Sequence, residues 1–270
     1  HRPVSPRLMQ PKIPNIFVPT TPTTAANRAG TALIDMETQH RLELFDPKTK
    51  PSAIIWDTEA LLTASPNLCL SAAGSMFSGV IASLQATGLN PLAEGDLLQA
   101  LRLLQENMRL VKNEPGNGQA RLNLCAAALM SNRASDSAGG GGALSVVSAL
   151  AHSLDTRYQA CDHGAAYSIA TAPGMRFNRD HNLAGQARLA AHLGIRKSGM
   201  DNVAAANAAA DAVADTYSQL AMPSRLRDVG VPEDGVRLIA QDSMTDFGMH
   251  RNVRPVQVVQ ELVDLLQNIW

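Results

Sequence analysis

The chain has 270 residues, a length that can bury a large core in one or two domains. Hydrophobic residues make up 45% of the chain and charged residues 17%, a composition typical of globular proteins and different from that of disordered or fibrous chains. The formal net charge of −1 excludes the strongly basic surface that binds nucleic acid or anionic membranes, and we expect neither partner.

The first part of the chain is predicted to contain short strands. Residues 1–12 are rich in proline and basic side chains and indicate an extended lead-in. Residues 13–57 form a β-rich segment in which turn residues separate four strand candidates, at 13–19, 31–35, 41–45 and 53–56. We expect these strands to form one small antiparallel sheet or hairpin.

From residue 58 to residue 270 the sequence predicts an all-helical domain. Apolar residues recur at helical spacing, and glycine or proline marks the joints. The predicted helices cover 67–87, 91–113, 118–133, 142–156, 164–172, 181–193, 200–220, 233–243 and 255–268. Short connections between them favour a mainly α fold, a multi-helix bundle. The dipeptide Pro173-Gly174 is expected to end the fifth of these helices.

Targeting and thiol patterns point to an intracellular chain. Neither a signal-peptide pattern nor an apolar run of the ~18 residues that cross a bilayer occurs, so we expect a cytoplasmic protein. Cys69, Cys125 and Cys161 lie far apart in apolar contexts and predict reduced thiols, not a disulfide framework or a zinc site. A glycine- and serine-rich stretch at 136–142 is expected to be a loop, either a plain linker or a gate.

Two histidines mark the candidate site. Ser148 and His152 lie four residues apart in one predicted helix, so both point from the same face. His163 follows Asp162, which is suited to cap the next helix, and the dipole at a helix start favours a neutral imidazole. A neutral imidazole can accept a proton or bind a metal, although a histidine on an apolar helix is more often a core residue.

Several motifs occur in an order and spacing that resemble one family. They are PTT at 19–21, ALID at 32–35, NPL at 90–92, AR at 120–121, LAHSL at 150–154, DHG at 162–164, PGMRFN at 173–178, MPSRLRDVGV at 222–231 and NVRPV at 252–256. Together they resemble the iron-containing alcohol dehydrogenase family, especially its maleylacetate reductase branch, which has a dehydroquinate synthase-like fold. The resemblance implies that the chain corresponds to the family's C-terminal helical domain and that the nucleotide-binding half is absent.

The resemblance also implies where the family's metal ligands would fall. Family members hold a divalent metal with an aspartate or asparagine and a histidine four apart on one helix, and with two further histidines. These positions correspond to Ser75, Gly79, Ser148 and His163, so only one ligand remains. One imidazole and two hydroxyl groups do not make a Zn²⁺ or Fe²⁺ site, and we expect no bound metal.

The family's cofactor-binding loop corresponds to residues 20–27. Two glycines let that loop approach a pyrophosphate in the family, and neither is present here, where the sequence is TTPTTAAN. We therefore expect no nicotinamide and no other cofactor.

These losses predict a larger and less polar cavity that suits a small organic ligand. The first hypothesis is a metal-free, non-redox enzyme of isomerase, lyase or cyclase type. In it His152 or His163, assisted by Asp162, moves a proton on a carbonyl or enol compound. The residues expected to bind this substrate are Ser75, Met76, Gly79, Ser148 and Tyr158.

Two alternatives stay open. In one, the chain is a catalytically inactive binding or assembly module, and in the other it is a reductase that needs a separate nucleotide-binding half. The face that the missing half would cover is expected to be apolar, and we expect a homodimer or a partner chain to cover it.

Overall fold

The computed structural model describes residues 9, 11–37, 41–138 and 144–270. Within the described part of the N-terminal segment there are four short strands: β1 (Ile16–Phe17), β2 (Gly30–Ile34), β3 (Arg41–Phe45) and β4 (Ala53–Ile54). β2 and β3 form an antiparallel hairpin in which Gly30 lies opposite Phe45. β1 and β4 form a separate parallel pair in which Ile16 lies opposite Ala53.

The expectation of one antiparallel sheet is correct for the hairpin and wrong for the outer strands. The chain leaves β1, passes through the whole hairpin and returns as β4 in the same direction, so this pair is parallel. A parallel pair needs a crossover connection, and the hairpin is part of that connection. The predicted lead-in at 1–12 lies largely outside the described residues.

The remainder of the chain is helical, which confirms the predicted mainly α bundle. The helices of the described residues are α1 (Thr58–Leu62), α2 (Pro66–Leu84), α3 (Pro91–Asn113), α4 (Gly118–Ala138), α5 (Ser145–Arg157), α6 (His163–Asn178), α7 (Leu183–His192), α8 (Asn202–Gln219), α9 (Val236–Thr245) and α10 (Val259–Gln267). Local chemistry explains several starts: Ser65, Asn90 and Asp162 each accept a backbone N–H of the first turn. α2 and α3 also begin with proline. Proline has no backbone N–H, and this costs nothing at the first position of a helix, where an N–H would have no acceptor within the helix.

α4 extends beyond its predicted end. It runs to Ala138, so the first part of the predicted loop at 136–142 is helical and that part of the prediction is wrong. Residues 139–142 lie outside the described residues, and the proposed gate lies there with them.

α6 also extends beyond its predicted end. It continues through Pro173-Gly174 to Asn178, so the prediction that this dipeptide ends the helix is wrong. The reason is tertiary packing, because α6 is buried along most of its length and Gly174 lies against Val147 of α5, where an added side chain would overlap. This burial outweighs the ~3 kcal/mol that a proline costs inside a helix.

α2 lies at the centre of the bundle. It packs against α3, α4, α6 and α7, and its side chains Phe77, Ile81 and Leu84 are fully buried. Among the described helices α2 alone has the length and composition to cross a membrane, but most of it is buried inside the protein, as in the core helix of a bundle.

α5 and α6 position the candidate site. They form a helical hairpin joined by residues 158–162, with α2 packed against α6 and α9 packed against α5.

Candidate active site

The first turn of α6 is tied to α2. Asp162 caps α6 as predicted, since its Oδ1 accepts the Ala165 N–H at 2.9 Å. The same oxygen accepts the Ser71 hydroxyl of α2 at 2.7 Å, and Ser71 Oγ accepts the Gly164 N–H at 3.0 Å. A side chain at Gly164 would overlap the Ser71 backbone, so the two helices meet here by direct backbone contact. Asp162 thereby fixes the start of α6, whose first residue is His163.

His163 is held by α5. Its Nδ1 lies 2.6 Å from Oδ2 of Asp155, and its ring meets Tyr167 edge to face, with 4.9 Å between the ring centroids. The His163 side chain is 49% exposed, whereas that of Asp155 is 16% exposed. The imidazole is therefore fixed by a sheltered carboxylate while part of the ring stays accessible to a ligand.

His152 is held by the residue that follows α9. Its Nδ1 lies 2.8 Å from Oδ2 of Asp246, and the two side chains are only 15% and 10% exposed. Ser148, His152 and Asp155 follow one another at helical spacing on the half-buried stripe of α5. Since His163 is bonded to Asp155, both imidazoles lie along this stripe.

α2 runs parallel to α6. Ser71 contacts Gly164, and about two turns further along each helix the Thr171 hydroxyl donates to Ser78 Oγ at 2.7 Å. Ser75 lies between these two contacts, on the half-buried side of α2.

The open stripe of α2 carries little polar bulk. The Ser75 hydroxyl donates to the Ala72 carbonyl at 3.0 Å, within its own helix. Gly79, one turn further, is exposed, and nothing lies within 4 Å of the position of a Cβ. This side of α2 therefore leaves room for a ligand.

α5 runs antiparallel to α6. Asp155 meets His163 at the start of α6, and Val147 meets Gly174 near its end. His152 lies between these contacts, at about the level along α6 that Ser75 has on α2.

Viewed along the axis of α6, Gly164 and Thr171, which contact α2, lie on one side of Tyr167. His163 and Gly174, which contact α5, lie on its other side. The three helices thus frame an open surface that we call the α2–α5 cleft. It is bordered by Ser75 and Gly79 of α2, His163 and Tyr167 of α6, and Ser148 and His152 of α5.

Two residues predicted to bind substrate lie away from this surface. Met76 is 3% exposed and belongs to the helical core, so it is closed to a ligand. Tyr158 is half-buried with its hydroxyl against Gly235, ahead of α9, and burial raises its pKa. Nearby Cys161 is buried too, and desolvation raises its pKa to about 12, so this residue is a neutral thiol and not a nucleophile at pH 7.

The donors at the positions that match the family's metal ligands do not fit a metal ion. Ser75 and Ser148 offer hydroxyl groups, Gly79 offers no side chain, and His163 is paired with Asp155. Among the described residues no group of three or more His, Cys, Asp or Glu side chains could hold a metal. Zinc and iron sites in proteins use about three or more such ligands. The absence of a bound metal from the working protein stays a prediction.

The loop at 20–27 does not fit a nicotinamide cofactor either. Residues 24–27 form a 3₁₀ turn, and the Thr24 carbonyl and the Asn27 side chain accept hydrogen bonds from Asn132 of α4. Arg28 donates to the same Asn132 at 2.9 Å. The turn is thus closed onto α4 without the glycine backbone that a pyrophosphate approaches.

Three residues that support the imidazoles were not selected from the sequence. Asp155 and Tyr167 lie three and four residues after His152 and His163, so helical spacing could have identified them. Asp246 lies 94 residues from His152 and carries no local signal.

Comparison with known proteins finds a methanol dehydrogenase, an alcohol dehydrogenase and a maleylacetate reductase among the proteins that this chain is similar to. It is 25% identical over 260 residues to the NAD-dependent methanol dehydrogenase of Bacillus methanolicus, and the alignment covers 96% of this chain and 67% of that protein. The solved alcohol dehydrogenase from Oenococcus oeni has a TM-score of 0.86 at 21% identity, over 98% of this chain and 68% of that one. The maleylacetate reductase from Rhizobium sp. strain MTP-10005 has a TM-score of 0.76 at 20% identity, over 95% of this chain and 67% of that one.

The chain spans about two thirds or less of the length of the curated relatives that it matches. The activities of those complete proteins are therefore only proposals for this chain. The family model described as "Fe-containing alcohol dehydrogenase family, C-terminal" matches residues 75–270. Because this match covers well over half of the chain, the chain belongs to the Fe-containing alcohol dehydrogenase family and corresponds to its C-terminal domain.

Proposed function

We propose that this chain is a metal-independent, non-redox enzyme built on the scaffold of that family. The supporting observation is the pair of imidazoles in the α2–α5 cleft, each with Nδ1 on a carboxylate. A base oriented by a third group is a common arrangement in enzymes. Ser75, Gly79 and Ser148, at the positions of the family's other metal ligands, leave room for an organic substrate.

His152 is assigned to proton transfer because its side chain is more sheltered from water than that of His163. With a carbonyl substrate, His152 takes a proton from the carbon next to the C=O group. The bonding electrons move toward the oxygen and give an enolate. His163 binds this enolate when both of its ring nitrogens are protonated, with Nδ1–H on Asp155 and Nε2–H donating to the enolate oxygen. If the substrate has a C=C bond next to this carbon, return of the proton to the γ-carbon gives the conjugated isomer. If the next carbon carries a leaving group, departure of that group with its electron pair gives an elimination. Neither reaction needs an outside oxidant or reductant.

The test is exchange of carbon-bound hydrogen with the solvent. The protein is incubated in D₂O and EDTA with a panel of small aldehydes, ketones and 2-oxo acids, and deuterium uptake is followed by mass spectrometry. We expect uptake by at least one compound class and a fall of about 10²–10⁴-fold in His152→Gln. The matched control is His192→Gln, which removes a histidine–carboxylate contact between α7 and α3 and should leave the rate unchanged.

Two results would contradict this proposal. One is that no member of the panel takes up deuterium, and the other is that the wild type and His152→Gln exchange at equal rates. Tight binding of NADH together with metal-dependent reduction of a carbonyl compound would instead support the reductase alternative.

A second candidate function, an assembly module, is favoured by the apolar N-terminal segment. Ile16 of β1 and Ile55, which follows β4, are 66% and 51% exposed. Leu44 and Phe45 of the hairpin are 53% and 59% exposed. Parallel strands are normally covered on both faces, and a two-stranded pair is marginal on its own. We propose that a second copy of the chain, or a partner chain, covers this segment.

Sedimentation equilibrium over a range of protein concentrations tests the homodimer. The variants Ile55→Lys and Phe45→Lys are expected to weaken association, because each places a charge in the apolar contact. Leu238→Lys changes a side chain of α9 that is 47% exposed and serves as the control. A single-chain mass at every concentration would contradict the homodimer.

A further inference from the structure

We infer that Asp246 is the positioning residue of His152 and fixes its imidazole in the tautomer that carries the proton on Nδ1. The catalytic consequence rests on the function proposed above. In this tautomer Nε2 has the free electron pair, so Nε2 is the ring atom that accepts the proton from the substrate.

The Asp246 carboxylate is held at both oxygens. Oδ2 lies 2.8 Å from Nδ1 of His152, and Oδ1 accepts the Gly248 N–H at 2.7 Å. An ionised carboxylate accepts hydrogen bonds and cannot donate them, so the ring nitrogen that faces it must carry the hydrogen. With both side chains largely sheltered from water, little solvent competes for this bond.

The end of α9 that carries Asp246 is itself fixed on α5. The buried Ser243 hydroxyl donates to the Ala149 carbonyl at 3.2 Å. Arg157 of α5 forms an ion pair with Asp242, with 2.9 Å between Nη2 and Oδ1. These contacts between α9 and α5 lie on either side of the His152–Asp246 pair. They leave the Asp246 carboxylate little freedom to turn away from the His152 ring, as a positioning residue requires.

Long-range ¹H–¹⁵N correlation spectra of protein with ¹⁵N-labelled histidine test the tautomer directly. The spectra are recorded at a pH where the rings are neutral, and the His152 signals are assigned by their loss in His152→Gln. In the wild type we expect a protonated Nδ1 and an unprotonated Nε2. In Asp246→Asn this preference should be lost, and deuterium uptake by the substrate should fall by about 10²–10⁴-fold, as expected for a base in the wrong tautomer. Asp211→Asn, which removes a surface partner of Arg176, should change neither reading.

Different results would overturn the positioning role of Asp246 and the proposed enzymatic function. A wild-type ring with its proton on Nε2 overturns the positioning role, and this reading needs no variant to fold. An unchanged ring spectrum in Asp246→Asn overturns it as well. A tautomer that follows Asp246 in a protein that exchanges no substrate hydrogen supports the positioning role and overturns the proposed enzymatic function.

Discussion

Replacement of Gly164 by alanine is expected to destabilise the protein by forcing α2 away from α6. A Cβ at this position would lie 2.7 Å from the Ser71 carbonyl carbon and closer still to Ser71 Cα and O. These are backbone atoms, so no side-chain rotation can remove the overlap. Carbon atoms pack at about 3.5–4.0 Å, and the helices would therefore have to separate by about 1 Å.

The cost follows from the contacts that this movement breaks. Overpacking of a buried contact costs about 1–3 kcal/mol. The hydrogen bonds from Ser71 to Asp162 and from Gly164 to Ser71 also weaken, and each is worth about 1 kcal/mol. Alanine recovers up to about 1 kcal/mol through its higher helix propensity. The net loss in the free energy of unfolding is expected to be about 3 kcal/mol, within a factor of about two.

Urea unfolding followed by far-UV circular dichroism measures this loss. The matched control is Gly95→Ala on α3, where the glycine is exposed and nothing lies within 4 Å of an added Cβ. That variant should gain about 0.5–1 kcal/mol, because alanine loses less backbone entropy on folding. Equal stabilities of the two variants would refute the backbone contact between Ser71 and Gly164 and the placement of the cleft that depends on it.

Three further predictions concern the helical domain. Arg121→Met should lose more than about 2 kcal/mol of stability in urea unfolding, because the buried guanidinium donates to three backbone carbonyls. The exposed ion pair of Arg102 should contribute less than about 1 kcal/mol. Equal losses on replacement of Arg121 and of Arg102 would contradict this prediction. Cys161, with its pKa raised to about 12 by desolvation, should resist iodoacetamide at pH 8 until the protein unfolds, and rapid alkylation of the native protein would disprove its burial. A hydrogen bond from the backbone N–H of Gln257 lowers the pKa of Glu261 in the folded protein. The stability that Glu261 contributes is therefore complete above the pKa it has in the unfolded chain, and it is lost as the pH falls through the lower pKa of the folded protein. Glu261→Gln should therefore be less stable than the wild type at pH 7 and approach it in acid, and a pH-independent difference would argue against this linkage.

The helix starts could be predicted because their chemistry is local. Asn90 and Asp162 cap α3 and α6 from positions that the sequence shows directly. The end of α6 could not be predicted, since the packing of Gly174 against Val147 depends on a helix that lies earlier in the chain. The parallel pairing of β1 and β4 could not be predicted either, because local sequence patterns do not determine the direction in which two strands pair.

The candidate site also has features that the local sequence predicts and features that depend on distant parts of the chain. Spacing along one helix placed Ser148 and His152 on a common face of α5. It did not distinguish Ser75 from the adjacent Met76, because α2 is apolar nearly all round and its open stripe is set by its neighbours. The partner of His152 comes from α9, and only the folded arrangement shows that Asp246 approaches the ring.

Metal-independent proton transfer in the α2–α5 cleft is tested most directly by measuring bound metal and deuterium exchange in the same protein sample. We expect protein with far less than one equivalent of iron or zinc to exchange substrate hydrogen at the same rate before and after EDTA treatment. An exchange rate that EDTA abolishes, and that returns in proportion to added Fe²⁺ or Zn²⁺, would contradict the proposal.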